Sequence, residues 1–233
     1  LAMAEVPECL LKAQRWAKHV LQNVGIDKEN VWTCEKNAKA RASHFDMLAE
    51  GTCRFTDVES FIDSETLKEM KKISVKGNVQ KFKKWFQLAK KGKVAKKAFC
   101  SRHLKQCCIR KRFLDTSGTI CTAYSTLGSL EKEESVNAIL LCIYMVCCFK
   151  QGVPIVLHEN VLGFETTSMR DFAEEMGYEH VAFSTKPMDV GMHVGRPRKY
   201  LVFYIISNTY GPVYQPTAAS ADMYVYIYIY LNI

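Results

Sequence analysis

Long apolar runs, a secretory leader and a regular cysteine framework are all missing from this sequence of 233 residues. The longest apolar stretch, residues 138–149, falls short of the roughly 18 residues that a membrane-spanning helix needs. No basic segment followed by a long apolar one marks a secretory leader. The ten cysteines are irregularly spaced in a chain that is not small. We therefore expect no membrane association, a reducing intracellular environment and free thiols.

Acidic residues are absent from one segment, Lys71 to Arg112, which holds 16 of the 32 lysine and arginine residues. The rest of the chain holds 16 basic against 24 acidic residues, so this segment carries the whole net charge of +8. Such a patch favours DNA or RNA, because phosphate contacts release counterions. A solvated basic helix or a disordered insert is the alternative. Within the segment, the lysines that we expect to contact a nucleic-acid backbone are Lys83, Lys84, Lys90, Lys91, Lys96 and Lys97.

Helices and short strands alternate along the chain. The strands "NVWTC" and "CRFTDV" each follow a predicted helix, and "VPIVLHEN" is a nearly continuous apolar run typical of a central parallel strand. The alternation predicts an α/β fold with a mostly parallel sheet and helices on both faces. Glu35 and Asp57 follow the first two strands, where a carboxylate faces the ligand crevice of such a sheet. They could bind a nucleoside-containing cofactor, and a helix cap or a surface position is the alternative.

One cysteine, Cys121, lies in a loop of glycine, serine and threonine, "SGTICTAYSTLG". Small residues let a substrate come close, which suits a nucleophile. Glu159 ends the buried strand "VPIVLHEN", and Arg196 and Arg198 alternate before a later strand. A nearby guanidinium would stabilise a thiolate and bind phosphate. By strand alternation, His158 should point away from Glu159, and we interpret it as structural.

These residues resemble the cytosine-5 methyltransferases that use S-adenosylmethionine. The family's nucleophile motif, roughly G-x-P-C-Q-x-F-S-x-x-G, resembles "GTICTAYSTLG", its Glu-Asn-Val motif resembles "HENVLGF", and its Gln-x-Arg-x-Arg motif resembles "GRPRKYLVF". "CEKN" and "FTDV" resemble its cofactor motifs. The positions that match these motifs are Gly118, Cys121, Ser125, Gly128, Glu159, Asn160, Arg196, Arg198, Glu35, Asp57 and Val58.

The resemblance implies a Rossmann-like methyltransferase fold, incomplete at both ends, and S-adenosylmethionine as the cofactor. Cys121 would attack C6 of a cytosine swung out of its stack, and Glu159 would hold the ring. Arg196 and Arg198 would complete the catalytic set, and Gly118, Ser125, Gly128 and Asn160 would form the substrate loop. The expected partner is DNA, in the nucleus. RNA is the alternative, because "ENVLGFE" resembles the branch of the family that modifies transfer RNA.

The sequence also departs from the family. Ile120 and Thr122 replace proline and glutamine in the nucleophile motif, and Val194 replaces the glutamine of the arginine motif. No Phe-x-Gly-x-Gly loop precedes "VWTCEKN", so we expect weak cofactor binding. An inactive nucleic-acid-binding remnant therefore stays open. The predicted organisation is a cofactor half (1–70), a basic insert (71–112), a catalytic half (113–208) and an irregular tail (209–233).

The basic segment also contains "CSRHLKQCC". Cys100, His103, Cys107 and Cys108 could supply zinc ligands. Their spacing is irregular and no second C-x-x-C pair exists, so we predict no metal site, with this set as the alternative. Buried or free thiols are the more ordinary interpretation.

Overall fold

The computed structural model describes residues 32–36, 51–73, 78–112, 114–118, 137–164, 167–185 and 197–205. The strands are β1 (Trp32–Cys34), β2 (Cys53–Phe55), β3 (Lys97–Cys100), β4 (Lys105–Cys108), β5 (Leu114–Gly118), β6 (Ile155–Val161), β7 (Glu179–Thr185) and β8 (Arg198–Tyr204). The helices are α1 (Ser64–Lys72), α2 (Asn78–Lys91), α3 (Asn137–Gln151) and α4 (Thr167–Glu175), and a 3-10 helix spans Val58–Phe61.

Two four-stranded sheets form, in the orders β1-β2-β3-β4 and β5-β6-β8-β7. The pairs β1/β2 and β5/β6 are parallel, whereas β2/β3, β3/β4, β6/β8 and β7/β8 are antiparallel. The α/β class is therefore as predicted, but the sheets are mixed where a mostly parallel sheet was expected. One reason is the β3–β4 connection of four residues, which is too short for the crossover that parallel strands require.

Each helix buries apolar side chains. Asp63 caps α1, since its Oδ1 accepts the Thr66 backbone N–H at 2.9 Å. In α2, the buried side chains recur at helical spacing, while lysines occupy the opposite side. Helix α3 is apolar all round and almost wholly buried. No helix among the described residues combines the length and apolarity needed to cross a membrane.

The basic segment contributes to the main core. The Phe172 ring of α4 stacks on two rings of α2, with centroids 3.7 Å from Phe86 and 5.2 Å from Phe82. Trp85 of α2 donates its Nε1–H to the Met70 carbonyl of α1 at 2.8 Å. The boundary predicted between residues 70 and 71 lies inside α1. Residues 71–112 therefore supply a helix and a hairpin to a core that they share with residues on both sides.

Candidate functional site

The carboxyl ends of β5 and β6 bring two predicted site residues together. Gly118 pairs with Glu159 in the parallel register. A Cβ atom at position 118 would lie 3.1 Å from Glu159 Oε2, closer than an ordinary van der Waals contact. Glycine thus leaves room for the Glu159 carboxylate, whose side chain is 29% exposed at the end of its sheet. The site therefore presents an accessible carboxylate beside a residue without a side chain.

The third member of this group is Arg198 on β8. Strand β8 runs antiparallel to β6, with Arg198 opposite Val161. The Arg198 Nε forms an ion pair with Glu159 Oε1, and the Arg198 side chain is 20% exposed. Because the pair is partly withdrawn from water, it is screened less than a surface salt bridge. The guanidinium therefore fixes the position of one carboxylate oxygen of Glu159.

His158 and Asn160 lie on the opposite face of β6 from Glu159. The Asn160 Oδ1 accepts the Val161 N–H at 2.9 Å, which orients the amide so that Nδ2 donates to His158 Nε2 at 3.4 Å. The remaining imidazole nitrogen, Nδ1, then donates to Ser117 Oγ at 2.9 Å. Burial lowers the pKa of His158 to about 3, so the ring is neutral. Asn160 was expected in the substrate loop. In the structure it belongs to β6, and it is buried on the face of that strand opposite to Glu159.

The two predicted cofactor acids follow neighbouring parallel strands. The Glu35 N–H continues the β1/β2 ladder by donating to the Phe55 carbonyl at 3.2 Å. Asp57 caps the 3-10 helix, since its Oδ1 accepts the Glu59 N–H at 3.0 Å. Its Oδ2 lies 3.0 Å from Lys36 Nζ. Asp57 therefore has the capping role that was the alternative at the sequence level, and Val58 packs against the core.

Several predicted residues lie outside the described residues. These are the nucleophile candidate, two residues of its loop and one arginine: Cys121, Ser125, Gly128 and Arg196. Of the candidate catalytic set, the structure therefore describes Glu159 and Arg198. It brings these two into direct contact.

Most of the predicted backbone-binding lysines are exposed on α2 and the hairpin. Lys83, Lys84 and Lys91 line a cleft of 340 Å³ together with Ile73 and Leu88. Lys96 and Lys97 are exposed before and at the start of β3. Lys90 is only partly exposed, and its Nζ lies 2.6 Å from Glu175 Oε1. Lys90 is therefore engaged within the protein, whereas the others face solvent.

The alternative zinc set is rearranged in the structure. The ligand atoms of Cys100, His103 and Cys107 lie close together, as they would in a metal site, but the fourth member of the cluster is Cys53. Cys108 is exposed. It follows Cys107 directly on β4, and successive strand residues point to opposite faces. Cys108 is thus wrong as a member of the set, and Cys53 is the residue that the sequence analysis missed.

No family model and no curated protein matches this chain. Among solved structures, it is similar to Schizosaccharomyces pombe Dnmt2 methyltransferase, with 13% identity, a TM-score of 0.43 and coverage of 83% of this chain and 46% of the other. A Dnmt2 triple mutant from Spodoptera frugiperda gives 15% identity, a TM-score of 0.45 and coverage of 88% and 50%. The Entamoeba histolytica methyltransferase EhMeth gives 11%, 0.40, 79% and 55%. The chain spans about half the length of these matched structures.

The residue that sequence reasoning missed, Cys53, lies far along the chain from the other members of its cluster. Cys53 is 47 positions from Cys100, and no local motif connects them. Strand pairing connects them instead, because Phe55 lies opposite Cys100 in the antiparallel register. Knowledge of that single pair would have been enough to bring Cys53 to the turn that holds His103.

Proposed function

We propose that this chain is a DNA cytosine-5 methyltransferase that uses S-adenosylmethionine. The observation that carries the proposal is the contact of Gly118, Glu159 and Arg198 at one end of the second sheet. Cys121 follows Gly118 by three residues in the sequence, within the loop of small residues. The nucleophile candidate is therefore adjacent in sequence to the strand end that holds the acid.

Each side chain has a task in this reaction. The Cys121 thiolate adds to C6 of cytosine, and the ring electrons move toward N3. Glu159 delivers a proton to N3 and accepts a hydrogen bond from the exocyclic amine, which neutralises the charge that develops on the ring. Arg198 contacts Glu159 and not the reacting atoms, so it acts as a positioning residue. Once C5 carries the methyl group, its proton passes to a solvent base, the C5–C6 double bond is restored, the Cys121 thiolate is expelled and N3 returns its proton to Glu159.

The cofactor would supply the electrophilic methyl group that C5 attacks. The carboxyl ends of β1 and β2 fit its nucleoside part, because two carboxylates follow adjacent parallel strands. Glu35 would accept the ribose hydroxyls. Asp57 keeps acceptor capacity after capping the 3-10 helix, since each carboxylate oxygen has two lone pairs. Its side chain is 30% exposed and could accept the adenine amino group.

DNA contact would come from the exposed lysines of the basic segment. Lys83, Lys84 and Lys91 line one cleft, and Lys96 and Lys97 extend the positive surface to the hairpin. Their charge is not balanced by acidic residues within the segment. With DNA as the substrate, the protein would act in the nucleus.

RNA is the second candidate substrate. The run "ENVLGFE" includes Phe164, which is buried with its ring centroid 5.2 Å from that of His158. Phe164 therefore packs on the face of β6 that lies opposite to Glu159. The substrate assay compares DNA with RNA directly.

Covalent trapping tests the proposal. The purified protein would be incubated with S-adenosylmethionine and oligonucleotides that contain 5-fluorocytosine, one set DNA and one set transfer RNA. Fluorine at C5 prevents the final elimination, so the adduct persists through denaturing electrophoresis. We expect an adduct with DNA that Cys121→Ala abolishes and that the exposed-cysteine control Cys108→Ser retains. An adduct with RNA alone would favour the second candidate, and binding without any adduct would identify an inactive remnant.

A further inference from the structure

Three cysteine sulfurs and one imidazole nitrogen converge where the β3–β4 hairpin meets β2. The ligand atoms of Cys53, Cys100, His103 and Cys107 all lie within 4.8 Å of one another. The His103 Nδ1 is 3.3 Å from the Cys100 sulfur, 3.4 Å from the Cys107 sulfur and 3.7 Å from the Cys53 sulfur. The three cysteines are free thiols.

These distances match those between ligands around a tetrahedral zinc ion. With Zn–S of about 2.3 Å and Zn–N of about 2.0–2.1 Å, a tetrahedral angle separates sulfur and nitrogen ligands by roughly 3.6 Å. The three observed separations, 3.3, 3.4 and 3.7 Å, bracket that value. Three sulfurs and one nitrogen are also a common ligand set of structural zinc sites.

The fold explains why these four residues meet. Phe55 of β2 pairs with Cys100 at the end of β3, so Cys53 faces the turn that carries His103. The pairing continues past the strand end, since the Ser101 N–H donates to the Arg54 carbonyl at 2.8 Å. Cys107 follows on β4, paired with Ala98. Residues from three separate segments thus share one side of the sheet edge.

The backbone and the charge around the cluster suit sulfur ligands of a metal ion. The Arg54 N–H donates to the Cys100 sulfur at 3.2 Å. A bound Zn²⁺ ion would deprotonate all three cysteines. The basic segment also offsets the net negative charge of three thiolates around one Zn²⁺.

We propose that Cys53, Cys100, Cys107 and His103 Nδ1 bind one structural Zn²⁺ ion. Four protein ligands complete a tetrahedron and leave no position for a water or substrate, which is the arrangement of structural rather than catalytic zinc. The ion would join β2 to both strands of the hairpin and to the turn between them. This inference does not depend on the proposed function.

The strand register between the hairpin and β2 is short. A single residue pair, Phe55 with Cys100, joins β3 to β2 in the described register. The hairpin also exposes Phe99 and Leu104, which therefore contribute little burial. A zinc ion would add a second attachment between the hairpin and β2, and it would fix the position of the lysines that the hairpin carries.

Metal content of matched variants tests the ligand set. The full chain would be purified from cells grown with zinc and measured by plasma mass spectrometry. We expect about one Zn²⁺ per chain, loss of that zinc in Cys53→Ser and its retention in Cys108→Ser. The two substitutions make the same chemical change, one inside the cluster and one on the exposed face. Equal zinc in both variants, or no zinc in the native chain with its thiols reduced, would overturn the proposal.

A second measurement does not require any variant to fold. The native chain is stripped with a chelator, divided, and alkylated with and without added Zn²⁺, and the labelled cysteines are identified by peptide mass spectrometry. We expect zinc to protect Cys53, Cys100 and Cys107 at least tenfold in rate, while Cys108 reacts equally in both samples. Protection that includes Cys108 but omits Cys53 would refute the assignment, as would equal labelling at all four positions.

Discussion

The buried imidazole of His158 gives the stability of this protein a specific dependence on pH. An imidazole in an unfolded chain has a pKa near 6.5, whereas burial lowers that of His158 to about 3. The groups that contact it, Ser117 and Asn160, are neutral. Between these two pKa values the unfolded chain binds a proton that the folded chain does not. Stability is therefore fully present above about pH 6.5 and is lost as the pH falls toward 3.

The size of the effect follows from this difference. Each pH unit in that interval costs about 1.4 kcal/mol of the free energy of unfolding. Lowering the pH from 7 to 5 covers about 1.5 units below the unfolded pKa, so His158 accounts for a loss of about 2 kcal/mol. The folded ring stays neutral at pH 5, so the result is insensitive to the exact folded pKa. Replacing the ring by an amide in His158→Gln removes the titration and keeps hydrogen-bonding groups for Asn160 and Ser117.

Urea unfolding of both proteins at pH 7 and pH 5 measures this difference directly. Other ionisable groups are common to both proteins and cancel in the comparison. We expect the native chain to lose about 2 kcal/mol more than His158→Gln on acidification, whatever the variant costs at pH 7. Equal losses in the two proteins would refute the reasoning. So would an imidazole resonance of His158 that titrates near pH 6.5 in the folded state.

Three further substitutions test the packing, the acid and the basic surface. Phe172→Ala should lower the free energy of unfolding by about 3–5 kcal/mol, because its ring stacks on Phe82 and Phe86. The half-exposed control Phe99→Ala should change the free energy of unfolding by less than about 0.5 kcal/mol. Similar urea midpoints for the two variants would show that α2 does not share the core. Gly118→Ala should reduce the rate of methyl transfer on the order of tenfold or more with little loss of stability, because its Cβ would lie 3.1 Å from Glu159 Oε2. Unchanged turnover in a tritium-transfer assay would argue against the site. Replacing Lys83, Lys84 and Lys91 by alanine should reduce the slope of log affinity against log salt by roughly 2 to 3, since each phosphate contact contributes about 0.9. Lys68→Ala, an exposed lysine on α1, is the control, and an unchanged slope in the triple variant would remove the cleft from the binding surface.

Local patterns predicted the features that depend on neighbouring residues. Period-two alternation in "VPIVLHEN" separates His158 from Glu159, and the structure places them on opposite faces of β6. The spacing of Phe82, Trp85 and Phe86 in the sequence puts them on one side of a helix, and all three are buried. In both cases the geometry of one element decides which side chains share a face. A single sequence contains that information in full.

Strand direction was harder to predict, because periodicity identifies a strand without saying how it pairs. The hairpin strands "KAFC" and "KQCC" are four residues each and lie in the most basic part of the chain. Their charge left a solvated or disordered insert open as the alternative, yet Ala98 and Cys100 are buried while Lys97 and Phe99 are exposed. The alternation is that of a strand with one covered face. It is too short to outweigh a composition so strongly basic.

Aromatic stacking joins α2, which carries part of the basic surface, to α4. Helix α4 follows the strand that carries Glu159, and its Phe172 lies against two rings of α2. The lysines that line the cleft lie on the other side of α2. Because packed interiors transmit displacement, a shift of α2 would also displace α4. Residues 71–112 are thus part of the core against which α4 packs, and their removal would disturb that core as well as the basic surface.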